Sequence, residues 1–503
     1  MDGNQTLGSS ERRAPGMESA KLRVAIAGAG FGGISVAVRL KLAGIEDFTV
    51  FECSPGPGGV WHDNTYPGCE VDTASIIYSF SFLPYNWPRT HGKQRELEQY
   101  SRDIIDYFEM GGRFRFNTSV VEAVWSERRN LYEVLLSTGE RQEFEVVVSA
   151  VGMFATPNIP QWAKGSPFAG KIFHSARWHH DYDFTGRRVA VVGTGCTATQ
   201  IVPELAEIAS QVHVFQREPG WILPKGERDY TDDERRILAE AGWRWRIKRY
   251  RAFYDLLRKS IRSIRAGSPD NVAAERTCLS YIEAEIRDPE LRKMVTPSYP
   301  FGCKRPIKST TFYKALNREN VHLVPRAVAG LNQDSIIDAD RVEREVDAVV
   351  LATGFHADDY LGSLTVVGRS GIALHEYWNG EPEAYLGLTV SGYPNFFMSY
   401  GPNTNGGGPI TAQHERQAEA IVSVIKRMRR RGFRWVDTKP QKQRDFVRWV
   451  DRENGHRLSA VPAGCHNYFF SASGRNVTQW PTSNVNYLWR TRLGMRFGLQ
   501  AGR

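Results

Sequence analysis

The 503-residue chain carries one short grammar twice: an apolar strand, a glycine turn, a helix and a second apolar strand. The first copy begins LRVAIAGAGFGGISVAVRLKLAG. Leu22 to Ala27 reads as a buried strand, and the apolar pattern continues as a helix through Leu40. Phe48 to Glu52 reads as the neighbouring parallel strand, which completes a βαβ unit. The second copy is RRVAVVGTGCTATQIVPELAEIASQVHVFQR, with a strand at Val189 to Val192, a helix to about Ala209 and a strand at Val212 to Phe215. Two such units predict an α/β chain with two Rossmann-like dinucleotide-binding domains. The length agrees with more than one domain.

The two turns differ in what they can hold. The first is Gly28-x-Gly30-x-x-Gly33, whose glycines permit a tight turn, close approach of a pyrophosphate and close packing of helix on strand. Glu52 ends the following strand, 19 residues past Gly33. A carboxylate there accepts hydrogen bonds from both ribose hydroxyls and repels a 2′-phosphate, so this site suits FAD or NAD. The second turn is Gly193-x-Gly195-x-x-Ala198, and its strand ends in Gln216-Arg217, again 19 residues on. A guanidinium in place of the carboxylate pairs with a 2′-phosphate and selects NADP. A chain holding a flavin at one turn and NADPH at the other is an oxidoreductase.

The intervening texture divides the chain. Residues 1–20 are polar, lack an apolar signal-peptide stretch and read as a disordered tail. Residues 21–150 read as the first part of the FAD-binding domain, 151–222 with 304–355 as the NADP-binding domain, 223–303 as a helical insertion, and 356–503 as the second part of the FAD-binding domain. Within the insertion, Thr231 with Glu234 fits a capping box. Trp243 to Arg265 is helical in period, very basic and aromatic; it reads as a helix with one apolar and one solvated face. A second amphipathic helix is expected near 411–431.

A net charge of +9 suits phosphate ligands without calling for nucleic acid. No apolar run is long enough to span a membrane, so no stable insertion is expected. The six cysteines fit neither a zinc site nor a disulfide framework, which places the chain in a reducing cytoplasm. The sequence is silent on oligomeric state.

Electrons from the flavin need an acceptor. A disulfide substrate would call for a close redox-active cysteine pair, and none is present; an external electron carrier and dioxygen both stay open at this point. The segment FAGKIFHSARWHHD, Phe168 to Asp181, holds His174, His179 and His180. Adjacent histidines point apart on any regular element, so no metal site is expected; a hydrogen-bonded linker histidine is the reading for His174. The spacing Phe168-x-Gly170-x-x-x-His174-x-x-x-Trp178 resembles the fingerprint of the type I Baeyer–Villiger monooxygenases, a class within the flavin-containing monooxygenase superfamily, and departs from it at His179, where Pro or Asp is usual. GGVW (Gly58 to Trp61), YPGCEVD ending at Asp72, GMFATPNIP, LATGF (Leu351 to Phe355) and NYFFSASGRNVTQWP resemble further family segments.

The resemblance implies a reduced flavin that adds dioxygen as a C4a-peroxide and passes one oxygen atom next to a ketone carbonyl, giving an ester or lactone. It implies Arg305 as the catalytic cation, from the Lys-Arg pair in PFGCKRPI, with Asp72 orienting it beside the flavin. It implies Lys304 joining Arg217 on the 2′-phosphate, and His174 in interdomain hydrogen bonding. Trp61, Tyr66 and the loop Tyr400 to Pro409 are candidates for lining the pocket. Two other readings stand beside this one: an N- or S-oxygenating flavin monooxygenase, and a non-catalytic flavin-binding sensor.

Overall fold

The computed structural model describes residues 22–240, 242–263, 267–406, 408–455 and 467–503. The tail expected over 1–20 lies outside them, as does Arg265 at the end of the basic segment.

Each glycine-turn unit forms the centre of a five-stranded, wholly parallel sheet. In the first, the order is Phe396–Met398, Val146–Ser149, Val24–Ala27, Phe48–Phe51 and Phe114–Arg115. In the second it is Val321–Val324, Gln211–Phe215, Arg188–Val192, Ala348–Leu351 and Lys171–His174. The central strands read as unbroken apolar runs because both faces are covered, so alternation is lost. Helix Phe31–Leu42 follows the first turn and helix Ala198–Ile208 the second.

The first sheet is completed late in the chain. Val24, Ile34 and Phe48 share one core with Phe397, Ile421, Trp480 and Tyr487, and helix Phe31–Leu42 packs along helix Ile410–Arg431. The chain therefore leaves the first unit, builds the second, and returns. The two crossings run side by side. Asn158 N–H donates to Gly354 O (2.9 Å), His356 N–H to Thr156 O (3.0 Å), and Thr353 Oγ1 to Asn158 O (2.5 Å).

Two features go beyond the sequence reading. A four-stranded sheet of Thr365–Val367, Val120–Ser126, Leu131–Leu136 and Arg141–Phe144 covers one side of the first sheet. Its strands (VVEAVWS, LYEVLL, RQEF) carry no clean apolar–polar alternation, and charged turns separate them, so the strand signal is absent from the sequence here. The helices between 223 and 303 also have no large core of their own. Leu238 and Trp245, in helices Asp232–Ala239 and Trp243–Ser263, join the first core. Ile282, Ile286, Leu291 and Val295, in or beside helices Pro269–Glu285 and Pro289–Val295, join the second. The insertion thus straddles both sheets, and its base is closed by Ile222–Leu223 pairing in parallel with Ile307–Lys308. Thr231 and Glu234 form the expected capping box.

The cysteines need one correction. Cys53, Cys69, Cys196 and Cys278 are free, but Cys303 is disulfide-bonded. Bridges follow proximity in space, which spacing along the chain does not report. Among the described residues, no helix is long and apolar enough to cross a membrane.

Candidate active site

At the first turn, two glycines are required by the protein itself. Gly28 has φ +109°, and a Cβ there would stand 2.5 Å from Ala150 O; a Cβ on Gly33 would stand 1.9 Å from Gly28 O. Gly30 is different. The nearest atom to its Cβ would be Gly59 Cα at 3.6 Å, an ordinary contact. Its lack of a side chain leaves space at the end of helix Phe31–Leu42, whose N-terminus has neither a capping side chain nor an acid in its first turn. Uncapped N–H groups facing a cleared approach suit a pyrophosphate. The buried Glu52 carboxylate accepts the N–H of Ala29 (2.7 Å) and of Ser54 (2.9 Å), which fixes it beside the turn. Each of its oxygens can accept further bonds.

The second turn repeats this geometry. Gly193 has φ +119°, and a Cβ on it would stand 2.5 Å from Ala352 O, as Gly28 relates to Ala150. A Cβ on Gly195 would meet nothing within 4 Å, so that glycine too clears an approach rather than relieving a clash. Ala198 is wholly buried where the helix begins. Arg217 is exposed at the end of its strand. Lys304 reaches the same end, where it is ion-paired with Glu218 and sits over the Tyr299 ring at 4.8 Å. A phosphate bound there would compete with Glu218 for Lys304.

The segment YPGCEVD lies across the start of the second unit's helix. Tyr66 Oη donates to Gln200 Oε1 (3.0 Å), Gln200 Nε2 donates to Glu70 O (2.9 Å), and Gly68 lies so close that a Cβ would stand 2.5 Å from Gln200 O. Tyr66 is therefore a docking residue rather than a pocket wall. This docking carries Asp72 to the boundary between the units. Arg305 arrives from the far side of the insertion, just before the strand Ile307–Lys308, and donates from Nη2 to Asp72 Oδ2.

The pair's electrostatics are one-sided. Burial alone would raise the Asp72 carboxyl, but the charges of Arg305 and Lys308 outweigh it and hold it below the ordinary carboxylate value. Asp72 in turn drives Arg305 well above its already high value. Arg305 keeps 49% of its side chain accessible while Asp72 keeps 16%. The carboxylate is spent on orientation, and the cation is presented to open space. Arg305 acts electrostatically on Cys196 of the second turn and on Tyr468 and Tyr400, opposing the upward push of burial on each. Tyr400 holds a left-handed backbone (φ +68°), costly for a bulky residue, and its hydroxyl donates to Asn405 Oδ1 at 2.7 Å. Trp61 donates from its indole to Tyr78 Oη (3.2 Å) and packs edge-on against that ring. Sequence reasoning did not find Tyr78 or Tyr468 as neighbours of this site; both are ordinary aromatics in sequence and meet the cation only through the fold.

His174 bridges the interdomain crossings. Its Nδ1 accepts the N–H of Ala176 (3.1 Å), which leaves the proton on Nε2, donated to Gly354 O (2.9 Å). Burial lowers its basicity and keeps it neutral. Both ring nitrogens are thus committed. Trp178 stacks on Phe184 at 5.4 Å and meets Phe173 edge-on, so it packs the second unit rather than facing Arg305.

The chain matches known proteins along nearly its full length. Residues 21–238 match the family described as Flavin-binding monooxygenase-like. A protein of Pseudomonas aeruginosa named Baeyer-Villiger monooxygenase is 35% identical over 497 residues, covering 97% of this chain and 92% of that one. One of the same name from Streptomyces coelicolor is 36% identical over 474 residues, covering 94% and 91%. The chain belongs to the Baeyer–Villiger monooxygenases. Solved structures agree with this placing of the monooxygenase. A closed cyclohexanone monooxygenase superposes with a TM-score of 0.85 at 26% identity, covering 96% of this chain and 99% of that one. An oxidised steroid monooxygenase bound to NADP gives 0.82 at 27%, covering 95% and 99%. This monooxygenase is a flavoprotein by family, and Gly30, the uncapped helix and Glu52 fit an FAD at the first turn. Gly195 and Arg217 fit NADP at the second.

Proposed function

We propose that this monooxygenase inserts one oxygen atom of O2 next to the carbonyl of a ketone. The overall change is ketone, O2, NADPH and a proton to ester or lactone, water and NADP⁺. FAD held at the first turn by Gly30, the uncapped helix and Glu52 would, once reduced by NADPH, activate that O2. The FAD-binding domain comprises the first sheet with the C-terminal part of the chain, and the NADP-binding domain is built on the second sheet.

The observation that carries this reading is the Arg305–Asp72 pair at the boundary of the two cofactor turns, with the guanidinium turned to open space. Arg305 is a catalytic residue: it presents a permanent positive charge where negative charge develops on oxygen during attack on the carbonyl. Asp72 is a positioning residue that holds one edge of the guanidinium and leaves the other edge for the reacting group. Gly28, Gly33 and Glu52 shape the FAD turn. Gly193, Gly195 and Ala198 shape the NADP turn, and Arg217 with Lys304 supplies charge for the 2′-phosphate. His174 ties the two crossings together.

A sulfide or amine attacks a protonated oxygen donor and gains less from a fixed cation, so Arg305 favours the ketone over N- or S-oxygenation. A sensor would need no such charge. The deciding experiment supplies the holoenzyme with NADPH and a mixture of cyclic ketones and alkyl aryl sulfides, then identifies the products. Lactones as the main products, absent from Arg305→Ala, support the proposal. Sulfoxides alone, formed equally by that variant, overturn it.

A further inference from the structure

Helix Trp243–Ser263 has an inner and an outer side that treat charge differently. On the inner side Lys248 pairs with Glu234 at 2.9 Å, and Arg249 donates to the carbonyls of Ile76 and Ser79 while Trp245 is buried. The outer side carries Trp243, Ile247, Tyr250 and Tyr254, spaced four, three and four apart, which places them in one line along the helix. All four are exposed, from 43% for Ile247 to 71% for Trp243, and the rings of Tyr250 and Tyr254 stack at 6.4 Å. Arg244, Arg251 and Arg258 flank this line on one side and Arg246 on the other. All four are exposed, and none forms an ion pair among the described residues. Asp255 is the one acid on this side of the described helix.

We propose that this outer face docks on an anionic phospholipid surface. The inference goes beyond the proposed reaction and does not depend on it. A second copy of the chain would bring the same arginine rows against each other, with too few acids to offset them. A protein partner generally buries its aromatic anchors in pockets, whereas this line is the convex crest of a single helix. A planar surface of negative charge meets the crest without a matching groove. Trp and Tyr rings settle at the depth of lipid headgroups, and arginines at the same height reach the phosphates. The docking is peripheral, with the inner face of the helix still packed on the protein.

The test uses the flavin-loaded full chain and phosphatidylcholine vesicles with and without phosphatidylglycerol, read by co-sedimentation. Binding is expected only with phosphatidylglycerol, and half-molar salt should release it. Each arginine near the surface contributes roughly fivefold, so Arg244→Gln with Arg251→Gln should weaken binding about 25-fold. Trp243→Ser with Tyr250→Ser should weaken it at least about tenfold. All substitutions fall on exposed side chains, and unchanged flavin content and NADPH oxidation verify the fold. Equal binding to both vesicle types overturns the proposal, as does unchanged binding by both double variants. So does a concentration-dependent dimer abolished by the Trp243/Tyr250 pair, which would assign the face to a second copy. Arginine-dependent binding to duplex DNA without binding to anionic vesicles would assign it to nucleic acid.

Discussion

Asp72 and Arg305 stand 233 residues apart in sequence and meet in one charge-assisted hydrogen bond. Neither reaches the other through its own sheet. Asp72 is carried there by a segment docked on Gln200, and Arg305 by the strand pair at the base of the insertion. Two separate pieces of architecture therefore aim one cation.

The first prediction concerns this pair. Arg305→Ala should leave NADPH-driven flavin reduction, followed as bleaching of the yellow colour without oxygen, within about twofold of the parent, and lower product formation by about 10²–10³. Asp72→Asn should lower it less, because the charge stays and only its aim is lost. Rapid-mixing spectra and product analysis separate the two steps. Equal loss of both steps in Arg305→Ala would show a structural role instead.

The glycines give a second prediction through their contrast. Gly33→Ala places a Cβ against Gly28 O and should cost at least about 2 kcal/mol of stability, with loss of bound flavin. Gly195→Ala meets open space and should change stability by no more than about 0.5 kcal/mol, while raising the KM for NADPH. Thermal unfolding followed by flavin fluorescence, beside NADPH titrations, checks both.

Cofactor choice gives a third. Arg217→Ala should raise the KM for NADPH about 10- to 100-fold, the worth of a lost charged hydrogen bond, and leave NADH unaffected. Lys304→Ala should act in the same direction but less, since Lys304 must first leave Glu218. An equal effect on both nicotinamides would remove these residues from phosphate recognition.

A fourth prediction is acid sensitivity from His414. Burial pushes its imidazole down to about 3, beside Ser399 and the Tyr400 ring. Between the ordinary histidine value and about 3, the unfolded chain binds a proton that the folded chain refuses. Stability therefore falls as pH drops through that window, by up to about 1.4 kcal/mol per pH unit for this one group. His414→Gln should flatten the fall of unfolding temperature between pH 6.5 and 4. Asp72 adds its own loss only further down, as pH drops through its depressed value.

Legibility in the sequence followed the range of the forces involved. The two βαβ units were readable because strand, turn and helix are local, and the observed helix Ala198–Ile208 ends within a residue of expectation. The capping box at Thr231 was readable for the same reason. Arg305 and Asp72 came from family likeness, since no spacing rule links residues so far apart. The split of the insertion between two cores was invisible: an amphipathic face at Leu238 or Ile282 says that something covers it, not what. Tyr66 was a candidate for lining the pocket, yet its hydroxyl is committed to Gln200. The bridged state of Cys303 was likewise hidden.

The paired crossings at Thr156–Asn158 and Thr353–His356 carry a mechanical consequence. A single tether would let one lobe swivel in any direction about the other. Two strands laced together by Asn158, Thr353 and His356, and braced at Gly354 by His174, can bend like the leaf of a door but resist being wrung. Any swing of the lobe built on the second sheet is thereby confined to one plane, so that its glycine turn approaches the first along a fixed arc.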